Sequence, residues 1–129
     1  MLTGSCLCGA VRFEVEGEAT ELYQCHCSLC RKSTGSAAVT ALLVAADRVR
    51  WVSGHEHYTF STRSGYRVDF CKACGSPLPN IVRSGDYWIP AGLLDGDVTA
   101  RVTKHIYVGS KAPWDVIPAG VPQFEHGPP

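Results

Sequence analysis

Gly4-Ser5-Cys6-Leu7-Cys8-Gly9 near the start of the chain and Phe70-Cys71-Lys72-Ala73-Cys74-Gly75 past its middle share one design: two close cysteines, then glycine. Glycine takes positive φ without penalty, so the backbone can curl behind the second cysteine and turn N–H groups toward the sulfurs. Such a turn lets a few residues supply two thiolates, and two turns supply the four ligands of a tetrahedral zinc site. Cys6, Cys8, Cys71 and Cys74 are therefore expected to form one closed structural site that ties the first strand to the end of a distant hairpin. In small peptides such a site is worth about 10–16 kcal/mol of apparent binding energy, comparable to the stability of a whole domain. Four merely buried, apolar cysteines would not explain this pairing beside glycines.

The chain has seven cysteines, so three remain, in Cys25-His26-Cys27-Ser28-Leu29-Cys30. A zinc with three protein ligands keeps a fourth position for water or substrate, as a catalytic zinc requires. Three thiolates leave such a site with net negative charge, which suits a soft ligand such as an incoming thiol better than the making of hydroxide. Other readings stay open. His26 could be a fourth ligand, although its place between two ligands should turn its side chain away. A distant His55, His57 or His105 could complete a second structural site. Cys27-x-x-Cys30 has the spacing of a redox pair without the βαβ context that accompanies it, and four thiolates could also hold iron and sulfur.

Outward from the cysteines, the chain reads as short strands. Val11 to Glu16 alternates apolar and polar residues, as a half-buried strand does. Ser36 to Val44 reads as a buried strand, with a helix as its other reading, and Val49 to Val52 as a short strand. Tyr58 to Ser61 and Tyr66 to Phe70 form a hairpin about Ser64-Gly65. Asp86 to Ile89 and His105 to Val108 add two more. Only Ser28 to Thr34 and Leu93 to Asp97 could hold a helical turn. From Ala112 the chain is expected to run as an irregular strap packed through Trp114, Ile117 and Phe124, with residues 117–129 a tail whose last residues are mobile.

A length of 129 residues fits one domain, 1–129, with one real core. Twelve Lys and Arg balance twelve Asp and Glu, so no basic excess exists for nucleic acid and no charge run for a membrane surface. The start Met1-Leu2-Thr3-Gly4-Ser5 lacks the charged and apolar regions of a signal peptide. The expectation is a cytoplasmic protein, where thiols stay reduced and clustered cysteines bind metal. An exposed strand edge would permit a homodimer.

Three motifs coincide in order: Gly4 to Phe13, Cys25-His26-Cys27-Ser28-Leu29-Cys30-Arg31-Lys32, and Phe70 to Leu78. Together they resemble the glutathione-dependent formaldehyde-activating enzyme family, related to centromere protein V. His105 to Trp114 is similar to that family's C-terminal signature. The resemblance implies a mainly β, Mss4-like β-tent of short antiparallel strands built around a structural zinc site, with two zincs per chain. It assigns Cys6, Cys8, Cys71 and Cys74 to the structural ion and Cys25, Cys27 and Cys30 to the catalytic one. It also implies a carbon–sulfur lyase or synthase that joins glutathione, or a similar thiol, to formaldehyde. Arg31 and Lys32 beside the triplet are candidates to meet glutathione's carboxylates; His55, His57, Arg63 and Lys104 are weaker ones. The rival is a noncatalytic zinc module that binds a protein or small thiol, followed by a thiol-redox or zinc-buffering protein.

Overall fold

The computed structural model describes residues 1–54 and 56–128. His55, one of the histidines weighed above, lies outside the described residues. In chain order the elements are β1 (Leu2–Ser5), β2 (Arg12–Val15), β3 (Glu21–Cys25), α1 (Ser28–Thr34), β4 (Val39–Val44), β5 (Val49–Ser53), β6 (His57–Ser61) and β7 (Arg67–Cys71). They continue with β8 (Pro77–Leu78), β9 (Asn80–Ile81), β10 (Tyr87–Pro90), β11 (Leu94–Asp95) and β12 (Arg101–Ile106). Among the described residues these strands form three sheets, in the orders β11-β1-β2-β5, β12-β3-β4-β10-β9 and β6-β7-β8. The mainly β class expected from the sequence holds.

Local pattern explains most of the elements. Phe13 and Val15 of β2 point inward and are buried, while Arg12 faces solvent, as alternation demands. β4 has buried residues on both faces because one face, with Leu42 and Val44, packs in one apolar cluster and the other, with Val39, packs in a second. β6 and β7 pair from Ser61 opposite Arg67 to His57 opposite Cys71, and Gly65 turns the chain at φ 92°. Helix α1 starts where the Cys27 sulfur accepts the Cys30 N–H and ends at Gly35, which is left-handed at φ 66°.

Three apolar clusters follow. Phe13, Val15, Leu42, Val44, Ile89 and Leu93 form the largest; each such burial contributes roughly 1.5–3 kcal/mol. The other two surround the cysteines: Cys6 and Cys71 with Val11 and Leu78, and Cys25 and Cys30 with Val39 and Ile106.

Three expectations need correction. Leu93 to Asp97 is not a helical turn: a 3-10 turn ends at Leu93, and Leu94–Asp95 pairs with Thr3 and Gly4. The strand expected at His105 to Val108 begins earlier, at Arg101, and stops at Ile106. Tyr107 there turns left-handed at φ 55° into a 3-10 turn. β12 runs parallel to its neighbour β3, while the other paired strands are antiparallel. Trp114 is exposed rather than packed, because the turn from Ala112 to Asp115 buries Ala112 and aims Asp115 inward at His26. Phe124 does pack as expected, and Ile117 is half-buried. The strap is held by Phe124 N–H to His105 O at 2.8 Å and Tyr107 N–H to His126 O at 2.7 Å.

Candidate functional site

The four cysteines of the two glycine-ended turns converge. Their sulfurs all lie within 4.8 Å of one another, with Cys6 and Cys8 3.6 Å apart and Cys8 and Cys71 3.9 Å apart. A tetrahedron of sulfurs about 2.3 Å from a zinc ion has an edge of roughly 3.8 Å, so this spacing fits the ion. Both turns close as the glycines require, Gly9 at φ 80° and Gly75 at φ 76°. Backbone N–H groups then face the sulfurs: Val11 donates to Cys6 Sγ at 3.3 Å and Ala73 to Cys71 Sγ at 3.4 Å. Ser76 bridges the turns, its Oγ accepting the Leu7 N–H at 2.9 Å and lying 3.3 Å from Cys74 Sγ. Hydrogen bonds from the Ser76 hydroxyl and backbone hold the Cys74 thiol down at about 5.

Cys25, Cys27 and Cys30 form the second cluster, again with sulfurs within 4.8 Å of one another. Cys25 comes from the end of β3, Cys27 caps α1 and Cys30 is the helix's buried residue. The hydrogen bond from Cys30 draws the Cys25 thiol down to about 6, and the same bond, with burial, pushes Cys30 up. One sulfur ionises at the expense of its neighbour, so a divalent cation is what would allow all three to be thiolates together. All seven cysteines are free of disulfides. The residues thus fit two metal ions, and zinc suits their sulfur donors.

His26, His57 and His105 are engaged elsewhere. His26 turns away from the sulfurs into the core, with Nε2 3.0 Å from His105 Nδ1 and Nδ1 3.6 Å from Asp115 Oδ2. His57 Nε2 lies 3.4 Å from Asp69 Oδ2. Neither of the two metal clusters includes a histidine among the described residues.

A cavity of about 660 Å³ opens over Cys25, Cys27 and Cys30. Its wall is chiefly aromatic and aliphatic, with Tyr23, Tyr66, Trp88 and Tyr107 converging from four separate parts of the chain. Burial keeps the Tyr23 and Tyr66 phenols protonated far above neutral pH. Tyr66 Oη donates to Cys30 Sγ at 3.5 Å and sits 2.9 Å from Ser33 Oγ. Neither Arg31 nor Lys32 lines this cavity: Arg31 Nε donates to the Ser110 carbonyl at 3.2 Å, and Lys32 is exposed. Arg63 and Lys104 stand outside it too. The arginines that do reach its wall are Arg67 and Arg83, which sequence reasoning missed because neither lies beside the Cys25–Cys30 triplet in the sequence.

The sequence model of the family described as glutathione-dependent formaldehyde-activating enzyme matches residues 1–110. A Halomonas elongata protein that carries this enzyme's name is 36% identical over 86 residues, covering 60% of this chain and 54% of that protein. The chain therefore spans about half the length of this curated relative. A crystal structure of a Rhodobacter sphaeroides protein is similar with a TM-score of 0.62 at 25% identity, covering 94% of this chain and 98% of that one.

Proposed function

This chain belongs to the glutathione-dependent formaldehyde-activating enzyme family, and on that premise we propose that it is a zinc-dependent carbon–sulfur lyase or synthase acting on thiol–aldehyde adducts. The thiol is glutathione or a related small thiol. In the synthetic direction one carbon–sulfur bond forms and the thiol proton ends on the former carbonyl oxygen. The observation that carries this reading is the three-sulfur cluster at the floor of a cavity, with no fourth protein donor grouped with it among the described residues.

Zinc held by Cys25, Cys27 and Cys30 would supply the positive charge that makes an incoming thiol give up its proton. The protein's own groups do the rest. Tyr66 donates its hydroxyl hydrogen to Cys30 Sγ and so spreads charge away from that sulfur. The Cys30 N–H does the same for Cys27 Sγ at 3.2 Å. The aromatic wall holds thiol and aldehyde together, which raises their effective concentration. Cys6, Cys8, Cys71 and Cys74 take the structural role, since their sulfurs are tied to each other and to backbone on both turns.

Thiols and formaldehyde combine without a catalyst, so binding tests the proposal better than a small rate. In calorimetric titrations, Cys27→Ser protein is expected to keep its native fold and to lose thiol binding. Unchanged glutathione or small-thiol binding by this variant refutes the mechanism.

A further inference from the structure

Glutathione carries two carboxylates and an ammonium group, and each of these that binding takes out of water needs a partner. The cavity over Cys25, Cys27 and Cys30 lacks them. Arg67 is already consumed, since its Nε and Nη2 each lie 2.8 Å from an Asp69 carboxylate oxygen. That leaves Arg83, an exposed residue whose Nη2 lies 3.9 Å from the Cβ position of Gly65 on the same wall. No Asp or Glu lines the cavity among the described residues, so an ammonium would find no counter-charge there. The wall is rich instead in ring surface, from Tyr23, Tyr66, Trp88 and Tyr107. The volume of about 660 Å³ accommodates a ligand with a ring system.

We propose that the ligand of this cavity is a thiol, or its aldehyde adduct, bearing an aromatic group and a single carboxylate. The inference rests on the reading of the site as one for thiol–aldehyde chemistry. The ring lies among the four aromatic side chains, and the carboxylate meets Arg83. The peptide ends of glutathione have no such complement.

Titration of the zinc-loaded full chain, followed by calorimetry and tryptophan fluorescence, tests this with four probes: 2-mercapto-3-phenylpropanoate, 3-mercaptopropanoate, 3-phenylpropanoate and glutathione. The phenyl thiol is expected to bind about tenfold or more tightly than glutathione or 3-mercaptopropanoate. Arg83→Gln, at an exposed position, is expected to weaken phenyl-thiol binding about tenfold without lowering the melting temperature. Glutathione binding as tightly as the phenyl thiol, or full affinity in Arg83→Gln protein, overturns the inference and leaves the thiol–aldehyde reading standing. If 3-phenylpropanoate, which has no sulfur, binds as tightly as the phenyl thiol, the underlying reading falls instead. Failure of all four probes to bind overturns both.

Discussion

A methyl group on Gly4 would stand 2.3 Å from Phe13 Cζ and 2.9 Å from the Leu93 carbonyl oxygen. Phe13 is at the centre of the core and cannot retreat, and the carbonyl is backbone. Gly4→Ala is therefore expected to cost about 2–3 kcal/mol in denaturant unfolding, the range of overpacked cores. An unchanged midpoint would show that the sheet yields there. The motif containing Gly4 was legible in the sequence, but this reason for it was not, since Phe13 and Leu93 reach it only through folding. Cysteine roles separate at the same scale. Cys71 is 3% exposed and packs with Cys6, Val11 and Leu78. Cys71→Ser is expected to abolish cooperative thermal unfolding, as removal of a structural zinc ligand does. A native-like melting curve from that variant would refute the structural assignment.

Among the elements, the parallel pairing of β3 and β12 does the joining work for the second cluster. It brings His105 beside His26, and the His26 N–H donates to Ile106 O at 3.0 Å. Burial lowers the affinity of both histidines for a proton, from an ordinary value of 6.5. For His26, the neighbouring His105 and Lys111 push the same way and Asp115 opposes them. The folded chain thus binds fewer protons than the unfolded one just below that value. Stability should be complete above about pH 6.5 and fall as the pH drops toward the lowered values. Melting temperatures measured from pH 8 down to about 5 should show that fall, and His105→Gln should flatten it; an identical slope in the variant would remove the pair as its source. Element by element, the helix at Ser28–Thr34 and the hairpin of β6 and β7 were readable because their turns and periods are local. β1 and β3 escaped notice: Leu2-Thr3-Gly4-Ser5 and Glu21-Leu22-Tyr23-Gln24 have little alternation, and each is a strand because a partner waits for it.

For the molecule as a whole, metal analysis of fully loaded protein should return two zinc ions per chain. A chelator should remove the ion of the cavity-facing triplet first, and the other only together with the fold. A single ion in saturated protein would sink the second site. Among the described residues no helix is long and apolar enough to cross a membrane.

At this largest scale the division between sequence and structure has a physical cause. Cysteine spacing and the glycines after it are local, and a ligand turn is completed within a handful of residues, so the four-plus-three grouping of the cysteines was decided by the sequence alone. The mainly β class followed in the same way from short alternating runs. The cavity was decided only by the tertiary structure. Apart from Tyr23, its aromatic residues and Arg83 come from parts of the chain far in sequence from the Cys25–Cys30 triplet, so that motif did not announce them. Adjacency in sequence therefore pointed to Arg31 and Lys32, while the packing of β3, β9, β10 and the turn before β7 put other side chains over the sulfurs.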